Sequence, residues 1–294
     1  MRIVGTALAA GTIGISFLLA QGGWIRAGTG QIGDTEKQTQ LTGRKVWVGY
    51  NRFRDCRGMT VENVDGEKLG TINDLIMEMQ SGRPAYVVVK SGGFGRQRFV
   101  IVPAPAIALG TVKAGIAGVD LTRGEWKRAP EFSRIDLPTL SHPEKERQIA
   151  GFYEQARKNL SRGNSSNRQE SELSSTGRVT DQINGRGPNG RYQMGNDLIG
   201  KEVVARQKVQ IGNISDVVVD LAGGKPSFAI ISAKRLSETG ERFAVPLRLL
   251  RVLPGRTAAL GADRRDFEHA KPFRESNMEN SVQSGGNEIY RYEH

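Results

Sequence analysis

The chain has 294 residues, 42 of them Lys or Arg and 31 Asp or Glu, which gives a formal net charge of +11. That length accommodates about two ordinary domains with connectors. The charge would attract anionic surfaces such as nucleic acid, acidic lipid or cell-wall polymer without choosing among them, but it is diffuse, and an ordinary solvated surface is the favoured interpretation. The single cysteine, Cys56, excludes an internal disulfide and is predicted to be a small buried apolar residue.

The first element in the chain is an apolar segment, residues 3–20, which follows Met1-Arg2 and contains no charged residue. A run of this length is near the lower limit for crossing a bilayer of about 30 Å and is long for a cleavable signal. Residues 1–27 are therefore interpreted as a signal peptide or a membrane anchor. A buried core helix or a cytosolic terminus is the third alternative. Either of the first two places the rest of the chain outside the cytoplasm.

Residues 28–57 are predicted to be a flexible spacer followed by a basic arm. The basic residues of the arm alternate with Trp47, Tyr50 and Phe53, a composition that suits contact with an anionic surface. The alternative, and the favoured interpretation, is an amphipathic strand or arm packed on the barrel. The candidate contacts with an anionic surface are Arg44, Lys45, Arg52, Arg54 and Arg57.

The strand pattern of residues 70–89 recurs 142 residues later, in residues 212–231, without a gap. Both copies carry a glycine, an aspartate, a second glycine, a proline and an aromatic residue at the same spacing, with apolar positions between them. Such a recurrence predicts one small fold used twice. The turn and core positions that form this structural motif are Gly70, Asp74, Gly82, Pro84 and Pro103 in the first copy and Gly212, Asp216, Gly224, Pro226 and Pro246 in the second.

The long strand of each copy changes phase in its middle. Leu75 and Met77 follow the alternation of a half-buried strand, but Ile72 lies an odd number of residues before them. This slip predicts a β-bulge at Asn73-Asp74 and at the equivalent Ser215-Asp216. We expect the two aspartates to accept hydrogen bonds from backbone N–H groups that the bulge frees.

Further along the same strands, Glu78 and Asp220 fall on the face opposite the apolar series. A ligand or cation site is one interpretation of this pair, and a solvated strand face is the favoured one. The turns that follow, at residues 81–84 and 223–226, contain Gly and Pro and predict a hairpin to the next strand.

These elements resemble a known family, the PRC-barrel domain. The resemblance rests on Gly70-x-Ile-x-Asp74, Gly82-x-Pro-x-Tyr86 and Val100-Ile-Val-Pro103, together with the second set, and covers roughly residues 58–132 and 198–273. It implies a compact, mostly antiparallel β-barrel, as in the photosynthetic reaction centre H subunit and a ribosome-maturation factor. Because such barrels resemble docking or scaffolding modules with no shared catalytic constellation, the resemblance assigns no catalytic role to either aspartate. We set the barrels at residues 58–140 and 196–274.

The connector, residues 141–195, is predicted to begin with a short helix over residues 143–160. Apolar residues such as Ile149 and Tyr153 recur there at helical spacing, after the capping-box pattern Ser141-x-x-Glu144. The helix is expected to pack on the first barrel.

Residues 161–195 are rich in Ser, Asn, Gly and Arg and predict a disordered linker, whose arginines, Arg191 included, are expected to be solvated. A linker of this kind leaves the two barrels separable. Residues 275–294 are predicted to be a polar tail.

A search for catalytic patterns finds little. His142, His269 and His294 have no metal-ligand spacing among themselves. The cluster Ser91-Gly-Gly-Phe-Gly95 lacks the lysine and the following helix of a phosphate-binding loop, and it predicts a hairpin loop. We therefore assign no catalytic, cofactor-binding or metal-binding residue.

The sequence thus predicts a mainly β protein with two small antiparallel PRC-type β-barrels, a short helix and disordered linker between them, and an N-terminal apolar export or anchor segment. The expected function is a non-catalytic binding or scaffold module of the bacterial cell envelope, periplasmic, extracellular or membrane-anchored. An RNA- or ribosome-associated factor is the alternative, and an enzyme is the third choice. The expected partner is a protein or an anionic envelope surface, with membrane contact through residues 3–20, and nucleic acid is less favoured. No cofactor is expected.

Overall fold

The structure is a computed structural model, and it describes residues 38–41, 44–47, 49–92, 97–109, 115–163, 191–233, 241–273 and 288–292. The predicted export segment lies outside these ranges, as do residues 164–190 of the predicted linker and most of the predicted glycine-rich hairpin loop.

The described chain is mainly β, as predicted. Its strands in the N-terminal half are β1 (Gln38–Leu41), β2 (Arg44–Trp47), β3 (Asn51–Arg52), β4 (Thr60–Glu62), β5 (Lys68–Glu78), β6 (Arg83–Ser91), β7 (Arg98–Pro103), β8 (Ile107–Leu109) and β9 (Ile116–Val119). The strands of the C-terminal half are β10 (Tyr192–Met194), β11 (Glu202–Val204), β12 (Gln210–Val219), β13 (Phe228–Ser232), β14 (Arg242–Pro246), β15 (Leu250–Val252), β16 (Thr257–Leu260), β17 (Lys271–Phe273) and β18 (Tyr290–Tyr292). The α-helices are α1 (Phe53–Cys56), α2 (Arg123–Arg128), α3 (Pro143–Gly163), α4 (Gly195–Leu198) and α5 (Arg264–Glu268), and 3₁₀ turns occur at Ala104–Ala106, Arg134–Ser141, Arg206–Lys208 and Leu247–Leu249.

Two large sheets share one strand order. The first sheet, with the order β7-β6-β5-β4-β9-β8, corresponds strand for strand to β14-β13-β12-β11-β16-β15 of the second. Among these six corresponding strands, the pairings in each sheet are antiparallel except for one parallel pair, β4 with β9 in the first and β11 with β16 in the second. A separate two-stranded sheet joins β1 to β2. The sequence repeat therefore corresponds to a repeated sheet, and closure of each sheet into a barrel remains a prediction.

The predicted bulges are present. The register between β5 and β6 shifts between Ile72 and Asp74, and that between β12 and β13 shifts between Ile214 and Asp216. The extra residue in each strand reverses its alternation at that point, which explains the phase slip in the sequence.

The apolar core is shared between the two repeats. One continuous cluster of buried side chains includes Val87 and Val102 from the first sheet together with Ile214 and Val245 from the second. A second, smaller group, which we call the aromatic cluster, consists of Tyr50, Val218, Phe228, Ile230, Ala244, Tyr290 and Tyr292. Both faces of the central strands of the second sheet are therefore covered.

The connector helix is confirmed as α3, and Ile149 and Tyr153 are buried as its spacing predicts. It packs on the first sheet, where the Tyr153 hydroxyl donates to the Ile101 carbonyl oxygen over 2.7 Å. The predicted capping box at Ser141 is wrong, because the Ser141 hydroxyl donates to the Pro138 carbonyl oxygen inside a preceding 3₁₀ turn. Among the described helices, none is both long enough and apolar enough to cross a bilayer.

Candidate functional site: the junction between the repeats

The two repeats exchange short segments. Residues 51–56, which precede the first repeat, contribute β3 and α1 to the second sheet, where β3 pairs with β12. Residues 192–198, which precede the second repeat, contribute β10 and α4 to the first sheet, where β10 pairs with β5. The exchange is reciprocal in register. Arg52 lies opposite Val218, and Met194 lies opposite Ile76. These are equivalent pairs, because Arg52 and Met194, like Ile76 and Val218, are 142 positions apart. The contact therefore has the self-complementary form of a two-fold interface.

Asp74 holds the second exchanged segment on the first sheet. Its Oδ1 atom accepts from the Leu75 N–H over 2.8 Å and from the Asn196 N–H over 3.1 Å, and its Oδ2 atom accepts from the Asn196 side-chain amide over 2.7 Å. The carboxyl group is 1% exposed, and burial raises its pKa although these hydrogen bonds act to lower it. Because Asn196 lies in the first turn of α4, where the N–H groups lack partners within the helix, the aspartate also satisfies a helix terminus.

Asp216 performs the same task for the first exchanged segment. It accepts from the Val217 N–H over 2.9 Å and from the Arg54 N–H over 3.4 Å, and the Arg54 guanidinium forms an ion pair with its Oδ2 atom. The predicted local bond from the bulge to each aspartate is confirmed. The longer-range bond, from each aspartate to the helix of the other repeat, is a structural feature that the sequence prediction missed.

The two exchanged helices meet at equivalent positions. Phe53 of α1 and Gly195 of α4 are 142 residues apart, and a Cβ atom added to Gly195 would lie 2.9 Å from Cζ of Phe53. That atom would also lie 3.2 Å from Oδ1 of Asp74. Gly195 therefore has to be a glycine, because any side chain there would collide with the ring of Phe53, the residue at the equivalent position of the first repeat.

Cys56 lies in α1 with no exposed surface. Burial, with smaller contributions from the charges of Asp55 and Asp216, raises the pKa of its thiol to about 12. The prediction of a small buried residue is confirmed, and the thiol is protonated and unreactive while α1 stays in place.

A second set of polar contacts joins Arg191 and Tyr192, at the end of the connector, to the first sheet and to α3. Arg191 pairs with Glu78 over 2.5 Å and with Glu146 of α3 over 2.8 Å, and the Tyr192 hydroxyl donates to Glu146 over 2.5 Å. Burial, followed by the bond to Glu146, raises the pKa of Tyr192. The expectation that Arg191 is a solvated linker residue is therefore wrong.

The predicted solvated face at Glu78 and Asp220 is also wrong. Glu78 is occupied by Arg191 and by the Ser81 hydroxyl, and Asp220 is 0% exposed and accepts from the Gly223 N–H over 2.7 Å. Strict alternation fails at Glu78 because Arg191 of the connector covers it, and at Asp220 because its side chain packs against its own turn at Gly223. Among the described residues there is no group of three His, Cys, Asp or Glu side chains arranged to hold a metal.

The remaining motif positions are structural. A Cβ atom at Gly70 would lie 2.3 Å from the Lys90 carbonyl oxygen, and one at Gly212 would lie 1.9 Å from the Ser232 carbonyl oxygen. Gly82 and Gly224 have φ values of +70° and +58° in the turns after β5 and β12. Pro84 lies in β6 beside Met77, Pro226 accepts from the Tyr50 hydroxyl, and Pro103 and Pro246 end β7 and β14.

The basic arm is partly used inside the molecule. Arg54 is bound to Asp216, the Arg52 guanidinium lies 5.9 Å from the ring centroid of Tyr292, and the Arg57 guanidinium lies 5.7 Å from that of Phe53. Arg44 and Lys45 lie in β2, where only the backbone is described. Residues 51–56 therefore differ from the predicted spacer and agree with the alternative of a packed strand or arm, because β3 pairs with β12 and α1 buries Phe53 and Cys56.

Sequence comparison identifies the repeated unit. The PRC-barrel domain family matches residues 48–121 and 194–259. Both segments belong to this family. The resemblance that the motif spacing indicated is thus confirmed, and each PRC-barrel match begins at the exchanged strand or just before it. A search of curated proteins finds no match to this chain.

Proposed function

We propose that this PRC-barrel protein is a non-catalytic binding or scaffold module of the bacterial cell envelope, built from tandem PRC-barrels and placed there by its N-terminal apolar segment. The family supports a binding or scaffold role. The observation that carries the proposal further is the reciprocal exchange, because it joins the two related repeats into one unit with a shared core.

The use of the buried acidic groups supports this role. Asp74, Asp216 and Asp220 each bind backbone N–H groups, and Glu78 is paired with Arg191. These contacts hold the side chains in fixed positions within the fold, as expected for residues that stabilise a scaffold.

The envelope assignment follows from the sequence of residues 3–20 and from the net charge of +11. An anionic lipid or cell-wall polymer is the surface that such a charge favours outside the cytoplasm. Arg54 of α1 and Arg57, the residue that follows α1, are exposed and lie in sequence between the apolar segment and the first repeat.

Cell fractionation combined with mass determination of the mature N-terminus tests the location. Recovery in the periplasmic, secreted or membrane fraction supports the proposal. Recovery in the cytosol, with sedimentation on ribosomes, would refute it and favour the RNA-associated alternative.

Binding to the surface is tested with vesicles containing phosphatidylglycerol. The triple variant Arg44→Gln/Lys45→Gln/Arg57→Gln should bind less tightly than wild type at low salt, since each charge near an anionic surface contributes roughly 1 kcal/mol. The matched control Arg168→Gln/Arg178→Gln/Arg186→Gln removes the same charge from the linker and should bind nearly as wild type. Equal losses in the two variants would show a diffuse charge effect and no arm site.

A further inference from the structure

The two related sheets differ at one edge. In the first sheet the outer edge of β7 is closed by the chain that follows α2. The Ile101 N–H donates to the Pro130 carbonyl oxygen over 3.0 Å, and the Phe132 N–H donates to the Phe99 carbonyl oxygen over 2.8 Å. Between these bonds, the backbone of Glu131 forms an antiparallel β-bridge with Val100. This edge is completed by a segment of its own repeat.

In the second sheet a strand is inserted at the same place. β17 is the counterpart of residues 130–132, because it follows α5 as they follow α2. It does not pair with β14 directly: β18 lies between them, antiparallel to β14 and parallel to β17. Arg291 of β18 lies opposite Phe243. Alignment of the two edge strands on Pro103 and Pro246 makes Arg291 the counterpart of Glu131. The C-terminal tail thus occupies the space between β14 and β17, which we call the slot. In the first sheet no strand lies at this place, because residues 130–132 contact β7 directly.

The slot holds two aromatic residues of the tail. Tyr290 and Tyr292 are 3% and 7% exposed and complete the aromatic cluster, with the Tyr290 ring 6.2 Å from Phe228 and the Arg52 guanidinium 5.9 Å from the Tyr292 ring. Between them, Arg291 points away from this cluster and lies 3.7 Å from Glu241. The pattern that fits is an aromatic residue, a basic residue and an aromatic residue in an extended chain, as alternation along a strand requires.

We propose that the slot between β14 and β17 is a strand-binding site for an extended segment of another protein, and that the C-terminal tail is its internal occupant. The proposal rests on the binding role proposed above and names the partner chemistry. The fold thus shows two arrangements of this sheet edge. In the first sheet the following segment pairs with β7, and in the second sheet a further strand is inserted beside β14. Addition of a strand to a sheet edge gives affinity through backbone hydrogen bonds and specificity through alternate side chains.

A second copy of this chain is a poor occupant. Its tail would make the same contacts as the internal tail, and the internal tail has an effective concentration in the millimolar range. The tail pairs with only three of the five residues of β14, Arg242, Phe243 and Ala244, so a longer segment from a different protein can also lie beside Val245 and gain contacts that the tail lacks. The partner therefore carries the aromatic-basic-aromatic pattern within a longer extended segment.

A labelled peptide with the sequence of residues 287–294 tests the site by fluorescence anisotropy. The full-length variant Tyr290→Ser/Tyr292→Ser, which vacates the slot, should bind this peptide at least about tenfold more tightly than wild type, whose slot is occupied. A peptide with the same two serine substitutions is the control and should not bind. No binding by a variant with a wild-type circular dichroism spectrum would overturn the proposal.

A second measurement avoids the variant if it fails to fold. N-terminally blocked peptide, added to the wild-type chain above the millimolar effective concentration of the tail, should accelerate hydrogen exchange in residues 288–292, because the peptide displaces the tail, while β12 and β13 stay protected. Unchanged exchange would overturn the proposal, and a concentration-dependent dimer lost in the tyrosine variant would assign the slot to a second copy instead. A cytosolic location would refute the envelope function alone, whereas absence of peptide binding would refute this site alone.

Discussion

Removal of the Asp74 carboxylate should weaken the junction by an amount that the structure allows to be worked out. In Asp74→Ala, the N–H of Leu75 and both the backbone and side-chain N–H groups of Asn196 lose their acceptor. At about 1 kcal/mol for each hydrogen bond, with more where a buried donor is left unpaired, the free energy of unfolding should fall by about 3 kcal/mol. For a protein of this size that corresponds to a decrease in Tm of roughly 6–12 °C.

Urea unfolding, followed by circular dichroism, measures this loss. Asn196→Ala should cost about 1 kcal/mol, and the double variant should cost about 1 kcal/mol less than the sum, because both single changes remove the same side-chain bond. Asp55→Ala, on the exposed side of α1, is the control and should change stability by less than about 0.5 kcal/mol. A stability of Asp74→Ala within that range, with no coupling to Asn196, would refute the role assigned to the aspartate.

Other regions of the fold give further expectations. Cys56 should resist a thiol reagent at pH 8 in the folded protein, and labelling on the time scale of an unfolded control would contradict the docking of α1. Hydrogen bonds from Thr122 lower the pKa of Glu125 below its ordinary value of 4.5 against the opposing effect of burial. Stability from this capping box should thus be present above pH 4.5 and be lost as the pH falls through the lowered pKa, a dependence that Glu125→Gln should flatten in acid titrations. Gly212→Ala should lower Tm strongly, since its Cβ would lie 1.9 Å from a carbonyl oxygen of β13, while Gly151→Ala in α3, with open space around it, should leave Tm equal or higher; equal effects would contradict the packing.

The sequence was sufficient for the repeated unit because that unit is encoded locally. Glycine at close approaches and left-handed turns, and an odd spacing of apolar residues at a bulge, are constraints on neighbouring residues, and Gly70, Gly82 and Asp74 follow them. The connector helix was predictable for the same reason, since Ile149 and Tyr153 follow a single period of 3.6 residues.

The exchange of segments could not be predicted from these patterns. Residues 51–56 and 192–198 are too short to show a period, and each is completed by a strand more than 100 positions away. One signal was available: the pairs Tyr50 with Tyr192 and Asp55 with Asp197 extend the 142-residue repeat upstream of residue 58, where the first barrel was predicted to begin. Glu78 was misjudged for a related reason, because its contact with Arg191, 113 positions away, is invisible in local alternation.

The reciprocal exchange is tested most directly by cutting the chain between the repeats. A protease site inserted between residues 163 and 191 would allow complete cleavage of the folded protein, followed by size-exclusion chromatography without denaturant. The two fragments should elute together at the mass of the intact chain and unfold in a single transition, since each sheet contains a strand from the other repeat. Separate elution of two folded fragments would contradict the exchange and restore the interpretation of two independent domains on a linker.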